Sequence, residues 1–289
     1  MNLTSLPDLK KRLVVTTVVL AIVSLLLAFY SYVPVTALLV LCVAALVGVG
    51  VWEYAQLALA KGLQPHTSAM ITIAVAEVFA FFAAHKNVVI PEFPALVLVV
   101  GVIIFFLIHF KDSTQALVNI AVEFFGVCYV AVPLSVSLGI LYPLVKQGSA
   151  QDGRLWLVYL IAVTKITDVA AYFIGKIWGR RKLAPVLSPK KTIEGAVAGF
   201  FAAVLMSLFF SFLANVVSTS QFRLPFLEAL FLGVLIGLLS QVGDLAESLL
   251  KRDAVVKDSN RLPGVGGVLD MVDSLLLTAP IVYFYLKIV

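Results

Sequence analysis

Nine long apolar runs, separated by short polar connections, dominate the pattern along the chain. They cover approximately residues 12–31, 34–58, 68–84, 94–110, 115–144, 154–177, 193–217, 225–250 and 269–288. A bilayer core takes roughly 20 mostly apolar residues per helical span. In lipid, each backbone N–H and C=O must bond within its own segment, which favours helices. The short alternating segments of a membrane barrel are absent from the sequence. The expected fold is therefore all-α, a polytopic integral membrane helical bundle of about nine transmembrane helices. The runs at 115–144 and 225–250 are long enough to tilt or to extend into the interface.

Composition agrees with this pattern. The chain is 62% hydrophobic and only 13% charged, against about 45–50% and about 25% for soluble domains. Lys10, Lys11 and Arg12 ahead of an apolar run are also a signal-peptide pattern. That run continues to about Phe29 and a second follows at once, which favours an uncleaved first span. With the N-terminus in the cytoplasm, fifteen of the 21 Lys and Arg fall in inner connections and five in outer ones, with Lys165 inside a span. This asymmetry is the positive-inside signal. The net charge of +5 then reflects cytoplasmic loops and anionic lipid headgroups. No nucleic-acid motif accompanies it. Cys42 and Cys128 read as buried small hydrophobes, and His66, His85 and His109 as surface histidines that form no metal set.

Polarity divides the chain in two. Residues 1–150 form mostly apolar spans, with Glu53, Gln56 and Glu123 among their few polar residues, and residues 151–289 carry the chemistry. In GDLAESLLKR, Asp244, Glu247, Ser248, Lys251 and Arg252 share one helical face. Lys251 and Arg252 alone would read as snorkelling side chains at the interface. Asp244 lies about two turns deeper, where insertion of a charge costs about 2.5–3.5 kcal/mol, and a hard divalent cation is its natural partner.

The segment KDSNRLPGVGGVLD comes next. Its Pro263, Gly264, Gly266 and Gly267 stop the helix and let backbone N–H groups approach a ligand. Asp270 and Asp273 then lie one turn apart, where acidic residues also serve as ordinary dipole partners. Asp244 and Asp270 could clamp Mg²⁺, with Asp273 beside them, while Lys251, Arg252 and Lys257 neutralise phosphate oxygens. Upstream, Lys165, Asp168 and Tyr172 share a face of the sixth span, where the Lys–Asp pair could equally be structural. The next loop carries Arg180, Arg181, Lys182, Lys190 and Lys191, a field suited to an anionic nucleotide or lipid. Ser188 or Thr192 is placed to cap the following helix, whose N-terminus beside lysines suits phosphate. No serine- or cysteine-nucleophile constellation is present.

At these residues the sequence resembles the phosphatidate cytidylyltransferases, or CDP-diacylglycerol synthases. Their C-terminal signature, Ser-x-x-Lys-Arg, then Lys-Asp, then Pro-Gly-His-Gly-Gly and Leu-Asp-Arg-x-Asp, is matched by Ser248, Lys251, Arg252, Lys257, Asp258, Pro263, Gly264, Gly266, Gly267, Asp270 and Asp273. Their Asp-x-x-Ala-Tyr-x-x-Gly is matched by Asp168, Ala171, Tyr172 and Gly175, and their Ser-Pro-Lys-Lys-Thr-x-Glu-Gly by Ser188–Gly195. The close match covers about the last 125 residues. Val265 stands where the family usually has His, Met271 where it usually has Arg, and the loop from Asp258 to Pro263 is one residue shorter than is common. Lys165 occupies a usually uncharged position, and we expect it to replace the charge lost at Met271.

The resemblance implies that CTP and phosphatidate give CDP-diacylglycerol and pyrophosphate, in phospholipid biosynthesis at a bacterial inner membrane with the site facing the cytoplasm. It implies Mg²⁺ at Asp244, Asp270 and Asp273, and leaves room for a second, monovalent cation. Substrate contacts are expected from Ser188, Lys190, Lys191, Thr192, Asp168, Lys165, Asp258, Gly266 and Gly267. Membrane lipids are expected partners, nucleic acid is not, and a homodimer is compatible with the sequence. Two other readings stay open: a CTP-dependent enzyme acting on an ether lipid or polyprenol, and an ion-coupled transporter built on broken helices.

Overall fold

In the computed structural model, residues 23–111, 113–143, 151–217, 222–256 and 267–288 are described. Helical residues at 23–28 precede α1 (Val33–Ala60), α2 (Thr67–His85), α3 (Phe93–His109), α4 (Ala116–Leu141) and α5 (Gly153–Trp178). A hairpin of β1 (Lys182–Ala184) and β2 (Ser188–Thr192) leads to α6 (Ile193–Val217), α7 (Phe226–Asp253) and α8 (Val268–Ile288). By packing, the chain divides into Met1–Cys42 and Val43–Val289. In the first unit, Thr36 Oγ1 donates to Tyr30 O at 2.8 Å. The second unit carries α2 to α8 and the hairpin.

Among the described residues, seven helices are long and apolar enough to cross a membrane, and α3 is a shorter apolar helix of 17 residues, roughly 26 Å long at about 1.5 Å per residue. The helix ends show that the chain runs back and forth. His66 before α2, His109 at the end of α3 and Glu123 near the start of α4 meet, so α3 returns across the bundle despite its length. Lys61 after α1 pairs with Asp253 at the end of α7, on that same face. At the opposite ends, His85 Nε2 lies 2.5 Å from Tyr142 O, and Arg223 N–H donates to Gln151 Oε1 at 3.2 Å.

The main core forms where α5, α7 and α8 meet, from Trp156, Tyr159, Leu160, Val163, Leu232, Ile236, Ala279 and Val282. Tyr159 is wholly buried, and its hydroxyl lies 2.6 Å from Ser207 Oγ, which donates to Ala229 O. Such pairing is what a polar group buried in an apolar bundle requires. Helices α5 and α6 pack closely, and a Cβ at Gly195 would stand 2.6 Å from Ala171 O. Phe201, Leu205, Phe209 and Phe212 leave an exposed apolar stripe on α6, as a lipid-facing surface requires. Asp152 caps α5 by accepting from Arg154 N–H at 2.9 Å. Burial pushes the Asp152 carboxyl up, but hydrogen bonds from Arg154 outweigh it and hold the group below its ordinary range.

Three expectations change. The segment after α5 is not a loop throughout: β1 and β2 pair antiparallel, Lys182 opposite Thr192 and Ala184 opposite Ser188. His85 and His109 are buried, and His66 and His109 sit with Glu123 as a set able to hold a metal. Cys42 is exposed and Cys128 half-buried, both free, because an apolar run has the same composition facing lipid or core.

Candidate active site

The hairpin is pinned at its base before it meets the other elements. Glu194, in the first turn of α6, accepts the N–H groups of Arg180 at 3.0 Å and Arg181 at 3.2 Å. Ile193 N–H donates to Arg181 O at 2.9 Å. Of the two expected caps, Thr192 does the work: its Oγ1 accepts from Gly195 N–H at 3.2 Å, satisfying one orphan donor of the helix. With the strand fixed, Lys191 Nζ pairs with Asp244 Oδ2 of α7 at 2.6 Å. Arg252 Nε donates to Leu187 O in the hairpin turn at 3.0 Å. The SPKKT block and the α7 block therefore close on one another.

Between them lies a cavity of about 510 Å³ lined by Asp168, Ala171, Tyr172 and Gly175 of α5, Lys190, Lys191 and Thr192 of the hairpin, and Gln241 and Asp244 of α7. Lys176 and Lys182 line it as well; Lys182 was read only as part of the general basic field, and Lys176 was not singled out. Gln241 was not singled out, and its Nε2 bridges Ala196 O and Gly237 O.

The acidic residues fall into two neighbouring sets. In the first, Asp273 is buried and within electrostatic range of Asp244, Asp168 and Lys165. Its Oδ1 accepts from Ser274 N–H at 2.5 Å. A glycine brings it there: a Cβ at Gly243 would stand 2.5 Å from Asp273 O, so only glycine lets α7 and α8 touch at that level. Lys165 Nζ reaches Asp168 Oδ2 at 3.3 Å and Met271 O at 3.2 Å. Ser240 and Ser274 place their hydroxyls 3.5 Å from Asp168 Oδ1.

In the second set, Lys251 Nζ is shared between Glu247 Oε2 at 2.5 Å and Asp270 Oδ1. Asp270 Oδ2 also accepts from Gly267 N–H at 3.2 Å. The other Glu247 oxygen, Oε1, is buried with no partner among the described residues. Lys257, Asp258 and Gly266 lie outside the described residues.

One supporting residue was missed as part of the site. Glu53 of α1, fully buried, accepts from Val268 N–H at 2.9 Å and Leu269 N–H at 2.8 Å. It fixes the start of the helix that carries Asp270 and Asp273. The available signal was a lone carboxylate in an apolar span, which is expensive unless it has a task.

This geometry joins dense positive charge to two sets of carboxylates at one end of a membrane bundle, the equipment for handling a polyphosphate beside lipid. Comparison with known proteins agrees. Residues 10–289 match the model of the cytidylyltransferase family. The chain is 36% identical over 287 residues to the phosphatidate cytidylyltransferase of Chlamydia pneumoniae, covering 97% of this chain and 92% of that protein. It is 41% identical over 180 residues to that of Chlamydia muridarum, covering 62% of this chain and 58% of that protein. It is 30% identical over 266 residues to that of Synechocystis, covering 84% and 86% respectively. The chain belongs to the cytidylyltransferase family.

Proposed function

We propose that this membrane enzyme converts CTP and phosphatidate into CDP-diacylglycerol and pyrophosphate. A phosphatidate phosphate oxygen forms the new bond to the α-phosphorus of CTP, and the bond from that phosphorus to the oxygen bridging the β-phosphate breaks. The attacking phosphate is already an anion and needs little deprotonation, so Val265 in place of a histidine removes no necessary base. The protein's contribution is orientation and charge neutralisation.

The observation that carries this reading is the Lys191–Asp244 pair, which unites two motif blocks over one cavity. Lys190 and Lys191 would take phosphate oxygens there, with Ser188 at the strand edge. Arg252 would hold the hairpin turn and join Lys251 and Lys257 at the departing pyrophosphate. Tyr172, largely exposed on α5, stands where the cavity meets lipid, so the acyl chains need not leave the bilayer.

The donor set suits Mg²⁺: Asp244, Asp273 and Asp168 offer hard oxygens in electrostatic range of one another. Asp244, Asp270 and Asp273 would hold the ion, with Asp168 supporting them. When bound, Mg²⁺ supplies neutralisation of charge on the triphosphate. Lys251 competes for Asp270, and a phosphate drawing Lys251 away would release that carboxylate toward the site. We place the site on the cytoplasmic face of a bacterial inner membrane, where the lysine-rich connections gather.

Purified protein in detergent, given CTP labelled at the α-phosphate, Mg²⁺ and one acceptor at a time, tests this. Diacyl phosphatidate should be labelled in preference to an ether-linked analogue or a polyprenyl phosphate. Preferential labelling of either alternative would replace phosphatidate as the substrate.

A further inference from the structure

Away from the cytidylyl-transfer site, three polar side chains converge where the turn after α1 meets the end of α3 and the start of α4. One ligand atom from each of His66, His109 and Glu123 lies within 4.8 Å of the other two. Glu123 Oε1 is 3.2 Å from His66 Nδ1 and 3.2 Å from His109 Nε2. The two rings stand nearly perpendicular, 4.8 Å apart. Glu123 is completely buried and His109 is 7% exposed, while the His66 side chain is 45% exposed.

The backbone fixes this arrangement independently of the side chains. His66 N–H donates to Glu123 Oε1 at 2.7 Å, and Gln64 N–H to Asn119 Oδ1 at 3.2 Å. The turn is thus tied to α4 before any ion arrives.

Ligands about 2.0–2.1 Å from a tetrahedral ion lie roughly 3.4 Å from one another. Two of the three separations here already approach that value, and the third closes by rotation of the half-exposed His66. A carboxylate taken entirely out of water needs a cation or strong donors. Among the described residues, the cavity that His66 and His109 border carries one lysine, Lys111, and it is exposed. Two imidazoles with one carboxylate form a three-protein-ligand set of the kind that leaves a fourth position open. Imidazole favours first-row transition ions over Mg²⁺ or Ca²⁺. A cavity of about 640 Å³, bordered by Gln64, His66, His109, Lys111 and Asn119, gives water or a small ligand access to that fourth position.

We propose that His66, His109 and Glu123 bind a divalent first-row transition ion, Zn²⁺ above all. The ion clamps the α1–α2 turn to α3 and α4, on the face where Lys61 meets Asp253 of α7. It is separate from the Mg²⁺ of the transfer site and does not depend on the reading of that site.

The test uses the full chain in detergent, stripped with chelator and equilibrated with Zn²⁺ alone in excess Mg²⁺, which occupies the transfer-site carboxylates. Metal content after desalting and thermal unfolding are read for wild type, His66→Ala and His109→Ala. Wild type should retain stoichiometric Zn²⁺ and melt higher with it. Both variants should bind at least about tenfold more weakly and lose the thermal shift, and Co²⁺ should show tetrahedral visible absorption only in wild type. Because the His109 variant can fail to fold, His66→Ala, altered at a half-exposed side chain, decides. Undiminished Zn²⁺ in folded His66→Ala, or none in wild type, overturns the proposal and leaves a hydrogen-bonded His–Glu–His cluster.

Discussion

Glu53 and Val268 lie 215 residues apart, yet the carboxylate of one receives the backbone N–H of the other at 2.9 Å. The adjoining Leu269 N–H reaches the second oxygen. A carboxylate from α1 thereby closes the open N-terminus of α8, where the helix dipole welcomes negative charge. Removing it leaves two amide donors unsatisfied, at about 1–3 kcal/mol for a buried group. Glu53→Ala should lower the melting temperature and reduce kcat, because Asp270 and Asp273 lose their anchor. Glu53→Gln, which keeps one acceptor, should recover part of both. Thermal unfolding and steady-state kinetics on the three proteins check this, and an Ala variant equal to wild type refutes it.

Lys165 donates to the backbone oxygen of Met271, and we predict that its charge stands in for the arginine missing there. Lys165→Ala should lower kcat/KM, and adding Met271→Arg should restore much of it. The assay is product formation by the two single variants and the double variant. Failure of the double variant, with intact protein, sinks the substitution idea.

Gly243 sets the spacing of α7 and α8. A methyl there would press on Asp273 O, and overpacking of this sort costs about 1–3 kcal/mol. Gly243→Ala should reduce stability by about that amount and shift the Mg²⁺ concentration needed for half-maximal activity upward. A variant with unchanged Mg²⁺ dependence would show that the contact does not position Asp273.

Lys191 and Asp244 form the bridge between motif blocks, so their contributions should not add. In a double-mutant cycle on kcat/KM for CTP, Lys191→Met with Asp244→Asn should be clearly less harmful than the product of the single effects. Strict additivity would mean that the two residues act independently.

Much of the fold was legible because the solvent for these helices is hydrocarbon. The run expected at 68–84 is a helix at Thr67–His85, and the run at 269–288 is a helix at Val268–Ile288. The expected first span lies mostly outside the described residues. The hairpin escaped notice because its strands are three and five residues long and mostly polar, too short for a periodicity to declare itself. Of the candidate site residues, Asp168, Lys190, Lys191, Thr192 and Asp244 share a cavity, and Lys251 and Asp270 pair beside it. Glu53 and the partnership of His66 and His109 were hidden for another reason. Contacts between distant helices leave no spacing in the sequence, and a lone polar residue in a span names a cost without naming its partner.

The most direct single measurement is Mg²⁺-dependent transfer of labelled CMP from CTP to phosphatidate by wild type and Asp244→Ala, with folding verified by gel filtration and thermal unfolding. Wild type should form CDP-diacylglycerol and release pyrophosphate, and the variant should be at least about a hundredfold slower. Undiminished transfer by Asp244→Ala, or none by well-folded wild type, would contradict the site proposed between the hairpin, α5 and α7.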